Sequence, residues 1–368
     1  MGEQGNPRVR AKLANAVAQV LCHGSEVERA LDWCEIALDL AERLDDTEIL
    51  ASALGWRSLA LFTLGRHREA VMLARGIANI ADEAGALYAQ AAARTGLSLY
   101  MLPDDPRSTV SIALEAVELA RKAGRRGIEV VNLLNIAETS IYLGLWQEAR
   151  VAISELHQRE MLDSHESWLL GLEALLAALT GEFAVSAEVL ARRKSFGGTE
   201  APLADQTTRL TTSAFTALAA GDLEIARRES KRAVEIDPVG INSAAALAIN
   251  VHAALWQRDV ASVRDALSSM ERIRGRATGA QRRTAEAGIA ALEGRIDEAA
   301  EIYRDAIEKW RVLESALDLA LCELDLVLLL GADHPDATVA KEARDILTEI
   351  GARPFLQRLD EATQSAGL

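Results

Sequence analysis

Six histidines, His23, His67, His157, His165, His252 and His334, are where chemistry near neutral pH would start in this 368-residue chain, because imidazole titrates there and binds metals. None has a second histidine four residues on, the spacing that sets two imidazoles on one side of a helix for zinc. His165-Glu166, with His157 eight residues earlier, comes nearest to a ligand set, and ordinary surface residues are its plainer reading. The three cysteines, Cys22, Cys34 and Cys322, are odd in number and lack metal-ligand spacing. A Cys22–Cys34 disulfide is one reading of them, and reduced, buried thiols are the favoured one. No G-x-x-x-x-G-K-[ST] phosphate loop occurs, and no dinucleotide glycine pattern follows a strand. Nothing here predicts an enzyme, a metal or a cofactor, although a nucleophile and base that meet only in space leave no mark in sequence.

Charge offers a second kind of chemistry. Fifty-five acidic residues against 40 basic ones give a net charge of -15, which repels a phosphate backbone and argues against direct binding of nucleic acid or an anionic membrane. Basic residues nonetheless cluster at Arg121-Lys122-Arg125-Arg126, at Arg227-Arg228-Lys231-Arg232, and at Arg272, Arg274 and Arg276 with Arg282 and Arg283. On helices such groups most simply form a solvated face or sit near C-termini, where they suit the helix dipole. The last cluster has an alternative reading as a dock for phosphate or an acidic peptide. The first ten residues hold no apolar run that would make a secretory signal, and no apolar stretch approaches the roughly 18 residues of a membrane span. A soluble cytoplasmic protein is expected.

The elements that would position any site are legible from punctuation. Helix-ending signals recur at Gly24, Gly65, Asp104-Asp105, Gly144, Gly181, Gly221, Arg258-Asp259, Gly294 and Gly331, separated by 41, 39, 40, 37, 40, 37, 36 and 37 residues. Second breaks fall between them, at Asp45-Asp46, Gly85, Gly124, Asp163-Ser164, Gly197-Gly198, Gly240 and Gly275 to Gly279, so each period is a helix hairpin. Glycine is suited to such turns because it takes the left-handed conformation without steric cost. Four turns are followed five residues later by alanine: Gly65 by Ala70, Gly144 by Ala149, Gly221 by Ala226 and Gly294 by Ala299. Gly181 with Ser186, Arg258 with Val263, the Asp104 turn with Val110 or Ala113, and Gly24 with Ala30 follow the rule loosely. Small residues there let two helices approach closely. Apolar residues at three- and four-residue steps, as in Leu13, Val17, Val20 and Leu21, mark amphipathic helices. With 4% aromatic residues and abundant alanine and leucine, the chain reads as all-α, about nine hairpins and a terminal helix, with one helix over Leu313 to Leu330. The run from Arg192 to Pro202 is basic and glycine-rich, and reads as a loop between hairpins or, near 195–203, as a hinge.

Ala219 to Pro238 shows the plan most fully: a turn glycine, Asp222 to cap, Ala226, Ala233 and a closing Asp237-Pro238. This resembles the second half of a tetratricopeptide (TPR) repeat, with a period slightly longer than the roughly 34 residues of a minimal one. Towards the end, Ile350-Gly351-Ala352-Arg353-Pro354 is similar to the Leu-Gly-Ala-Arg-Pro that closes the TPR regions of bacterial adenylate or guanylate cyclase-like ATPases and large LuxR-type regulators. The cyclase, nucleotide-binding and DNA-binding modules of those proteins have no counterpart in these residues. The resemblance implies a single right-handed α-solenoid over 1–368.

In TPR proteins the first helix of each hairpin lines a concave surface. Carrying its groove offsets over, the resemblance brings Phe62, Glu138, Tyr142, Thr211, Phe215, His252, Trp256 and Thr284 to that surface. It also places Asn135 where such proteins put an amide that binds a partner's backbone. For the aromatics the competing reading is packing against the next hairpin, and for Asn135 a bond to a neighbouring helix. The expected function is a non-catalytic scaffold or regulatory adaptor that binds a peptide or helix of a protein partner. A ligand-sensing module for a peptide or small metabolite is the alternative.

Overall fold

The computed structural model describes residues 6–22, 26–193 and 203–364. They are all-α: nineteen α-helices and one short 3-10 turn, with no strand among the described residues. Residues 195–202 of the expected hinge, and the turn at Gly24, lie outside them.

The chain divides into two compact units, each built of TPR-like helix hairpins. The first holds residues 1–102, 108–136 and 202–204. It contains α1 (Pro7–Cys22), α2 (Val27–Leu44), α3 (Thr47–Thr63), α4 (His67–Glu83), α5 (Leu87–Met101), most of α6 (Pro106–Lys122) and the first half of α7 (Arg126–Leu143). The second holds residues 103–107, 137–201 and 205–368. After the rest of α7 come α8 (Trp146–Leu156), α9 (Asp163–Leu179), α10 (Phe183–Arg193), α11 (Leu203–Ala220), α12 (Leu223–Ile236) and α13 (Ile241–Trp256). They are followed by α14 (Val260–Met270), α15 (Arg276–Leu292), α16 (Ile296–Leu313), α17 (Ala316–Leu330), the 3-10 turn Pro335–Val339, α18 (Ala340–Ile350) and α19 (Arg353–Gln364).

The turn chemistry works as the sequence spacing predicts. At Gly65, Gly144, Gly181, Gly221 and Gly294 φ lies between 77° and 80°. The backbone there closes each helix end, as where Gly65 N–H donates to the Phe62 carbonyl and Arg66 N–H to that of Leu61. Asp46, Asp222 and Asp259 then cap the next helix through a side-chain oxygen, accepting from the amides of Ile49, Ile225 and Ser262 at 3.1, 3.3 and 3.1 Å. Five residues past Gly65, Gly144, Gly221 and Gly294, Ala70, Ala149, Ala226 and Ala299 are wholly buried. One break escapes the pattern: the stretch read as a single helix over Leu313 to Leu330 is interrupted at Glu314, which takes a left-handed φ of 52° without glycine's help.

Unit one packs as a series of small clusters between neighbouring helices, such as Ile77, Ala81, Ala89 and Ala93. Unit two gathers Leu247, Val251, Leu255, Val263, Met270 and Ile289 in one cluster. Within the same unit lies α17, buried along nearly its whole length from Leu317 to Val327, the acids Glu323 and Asp325 included, the environment that a mostly apolar helix requires. Even the α7–α8 turn closes onto it, for a Cβ on Gly144 would stand 3.4 Å from both Ala316 Cβ and Leu317 N.

A second close approach in unit two yields a test. Gly275, at φ 132°, sits so near Pro103 that a Cβ would lie 2.6 Å from its Cβ and 2.8 Å from its carbonyl oxygen. That oxygen also accepts from Ala277 N at 3.0 Å, so it has no room to yield. Gly275→Ala is therefore expected to cost about 2–3 kcal/mol, strain and clash together. Gly65→Ala, with open space around it, should cost only the left-handed penalty of about 1 kcal/mol. Urea denaturation of the two variants measures both; equal costs would refute the role of Pro103.

Candidate docking groove

In unit two, four-residue spacing sets side chains on one side of each of three first helices: Glu138 and Tyr142 on α7, Thr211 and Phe215 on α11, His252 and Trp256 on α13. From α17, Asp325 anchors two of them. Its fully buried carboxylate accepts from Trp256 Nε1–H at 2.7 Å through Oδ1 and from His252 Nδ1 at 2.8 Å through Oδ2. The acceptor fixes the imidazole proton on Nδ1. The other ring nitrogen, Nε2, is buried without a hydrogen-bond partner.

Into this face comes the last helix. α19 begins after Gly351, whose φ of 80° turns the chain back from α18. Phe355, 1% exposed, lies 6.5 Å from the Phe215 ring and 6.1 Å, edge-on, from that of Trp256. Phe215 in turn stacks on Tyr142 at 5.8 Å. Three residues on, the Arg358 guanidinium rests 4.3 Å above the Trp256 ring; Leu359, four residues on, is fully buried. The turn glycines Gly181 and Gly221 face Arg353 and Arg358, each at 3.5 Å from where a Cβ would stand. At the rim, Arg353 pairs with Glu182 at 3.3 Å and Arg344 of α18 with Asp360 at 2.6 Å. The outward residues Arg353, Gln357, Glu361 and Gln364 are polar and exposed. Burial of Phe355 and Leu359 contributes about 2–3 kcal/mol each, and the cation on Trp256 adds on the order of 1 kcal/mol.

The deeper wall is ionisable. Burial pushes the half-buried Glu138 up to about 7, against the opposing pull of the Trp168 indole and of Arg193. Asp318 is raised by burial, partly offset by the Ser315 hydroxyl at 2.5 Å and by His252. Tyr142 is held well above the ordinary tyrosine range by burial and by those two carboxyls. Arg193 falls to about 10 through burial and the neighbouring Arg209, its guanidinium lying where Gly171 has no side chain to block it. For His252, burial pulls down, but Asp325 by charge and hydrogen bond, then Asp318, carry it above its ordinary value. Arg358 is lowered by burial, with Glu361 and Asp325 opposing. Such a wall can hold a proton or orient a polar group. Among the described residues no three His, Cys, Asp or Glu side chains gather as a metal site.

Of the residues expected at the groove, Tyr142, Phe215, His252 and Trp256 thus come together, with Glu138 on the same helix as Tyr142. Thr211 is buried, its hydroxyl 3.5 Å from the Asn242 carbonyl. Thr284 is buried too, accepting from Trp310 Nε1–H and contacting Cys322. Phe62 lies in unit one, buried between His67 and Tyr100 at ring distances of 4.4 and 4.7 Å. Asn135, also in unit one, is half-buried on α7. Of the basic cluster, Arg272, Arg274 and Arg276 are exposed and Arg282 half-buried, while Arg283 is engaged by Asp305 at 2.6 Å and Glu286 at 2.5 Å. Cys22, Cys34 and Cys322 are free, buried thiols; burial lifts the first two to about 12 and about 11. Sequence reasoning missed Asp318 and Asp325, which with Glu323 are the three acids of an otherwise apolar helix, and it missed Phe355, Arg358 and Leu359.

No protein-family model matches the chain, and no curated protein matches it. Among solved structures, the crystal structure of the APC/C hetero-tetramer Cut9-Hcn1 is similar over 99% of this chain and 90% of the other, at 13% identity and a TM-score of 0.36. A likeness that distant carries no argument, and the hairpin architecture rests on the helices themselves.

Proposed function

We propose that the chain is a non-catalytic protein-interaction scaffold or regulatory adaptor, cytoplasmic, of the kind that serves the cyclase-like and LuxR-type regulators. Its docking face is the wall of unit two made by Tyr142, Phe215, His252 and Trp256. One observation carries this reading: the face already accommodates a helix, α19, through Phe355 and Arg358. Aromatic rings held by a buried carboxylate make a rigid platform for such a segment. The chain and its Trp256→Ala variant, of matched helicity, are to be compared in affinity capture. The expected result is a protein partner whose recovery falls at least about tenfold in the variant, the loss of one anchor worth about 1.4 kcal/mol or more. Equal recovery by both proteins would reject this face.

A second reading, a ligand-sensing module, is favoured by the half-buried Glu138 and Asp318 and by the unpartnered His252 Nε2. Native mass spectrometry separates it from the first, since a small molecule retained by the chain, with no protein partner captured, supports sensing.

A further inference from the structure

We infer that α19 is a displaceable occupant of the unit-two groove, and that the partner which replaces it is an amphipathic helix bearing an aromatic residue, a cation three residues later and a leucine four residues later. The inference rests on the reading of this face as a protein-docking surface and goes further, naming the partner's chemistry and the contact it must break. α19 itself supplies the pattern in Phe355, Arg358 and Leu359, each matched to a feature of the wall: an aromatic slot between Phe215 and Trp256, the open face of the indole, and a fully dry position.

The attachment of α19 fits exchange. It is 12 residues long and follows α18 after the two-residue link Gly351-Ala352, with the solvent-exposed Arg344–Asp360 pair as a further tie between the two helices. Only Phe355 and Leu359 of its side chains are buried, and the Arg353–Glu182 pair that ties its start to α10 is solvent-exposed at both ends. A salt bridge so exposed restrains little. The platform beneath stays fixed when α19 leaves, because Trp256 and His252 are held from α17 by Asp325. A partner helix with the same three side chains makes the same contacts, and its own outward face adds what α19 lacks.

A labelled peptide of residues 353–364 serves as the probe. Two proteins are titrated beside the wild-type chain: the double variant Phe355→Ala/Leu359→Ala, and the chain ended after Gly351. Expected is saturable binding by both, at least about tenfold tighter than by wild type, lost when Trp256→Ala is added and weakened when the peptide's Arg358 is replaced by Gln. Folded variants that bind no peptide overturn the inference. So does loss of cooperative melting in both variants, which would make α19 part of the core, and so does a dimer exchanging α19 between copies, seen by light scattering, because the occupant is then a second copy. A partner that binds at Trp256 without releasing α19, read from unchanged hydrogen exchange in 353–364, ends this inference and leaves the docking face standing.

Discussion

Asp325→Ala is expected to destabilise unit two by about 3–5 kcal/mol, because it removes one member of a buried charged pair and leaves the other without compensation. Asp325 is fully buried and accepts from two donors at 2.7 and 2.8 Å, Trp256 Nε1–H and His252 Nδ1–H. Without it the indole N–H loses its partner, and His252, whose Nε2 already has none, loses its remaining bond. The pH dependence carries the diagnostic sign. In the wild type Asp325 raises the folded-state value of His252 above 6.5, so this pair's contribution is complete below that pH and is lost as pH rises through the raised value. In the variant burial acts with only Asp318 opposing it. The imidazole then falls below its ordinary value, and its contribution improves with rising pH. Urea denaturation followed by circular dichroism, at about pH 5.5 and about pH 8, reads both magnitude and slope. An unchanged slope would show that Asp325 does not set the protonation of His252. Asp325→Asn keeps an acceptor for Trp256 and should cost less, about 1–2 kcal/mol.

The same residue joins stability to the proposed docking face. Trp256 carries both Arg358 and Phe355, so freeing its ring loosens α19 before the unit unfolds. None of this was readable along the chain, since Asp325 and Trp256 are 69 positions apart. What was readable is local. A turn glycine announces itself by one residue's conformational freedom, and an alanine five residues later by the closeness of two helix backbones, so the hairpins could be counted with no knowledge of tertiary structure. Glu314 was missed because neither a glycine nor an aspartate pair like Asp45-Asp46 marks its left-handed turn. The candidate face was reached differently: offsets carried over from the TPR resemblance name Tyr142, Phe215, His252 and Trp256, which lie near one another in unit two. Thr284 satisfies the same offset but meets Trp310 and Cys322 instead. Phe355 and Leu359 read only as one side of an amphipathic helix; what that side rests on is decided by the chain's return past Gly351.

Glu323→Gln is expected to stabilise the protein by about 3 kcal/mol at pH 7 and to do nothing near pH 4.5. The Glu323 carboxyl, fully buried on α17, is pushed up to about 9, first by burial and then by the Glu342 carboxylate beside it. Arg311, 3.8 Å away, pulls the other way but is committed to Glu342, which it grips at 3.2 and 2.5 Å. At neutral pH the folded chain therefore holds a proton that the unfolded chain, titrating near 4.5, has released. Folded molecules bind more protons, so stability falls as pH rises from about 4.5 to about 9, by about 1.4 kcal/mol per pH unit. Glutamine has the same shape and no proton to take up, so the variant escapes this slope. The check is the difference in unfolding free energy between variant and wild type at several pH values. A constant difference, or a loss at pH 7, would mean that the carboxyl is ionised and held by Arg311. The predicted rise instead assigns the hold between α16 and α18 to the Arg311–Glu342 pair, with Glu323 as a buried acid that α17 carries at a cost.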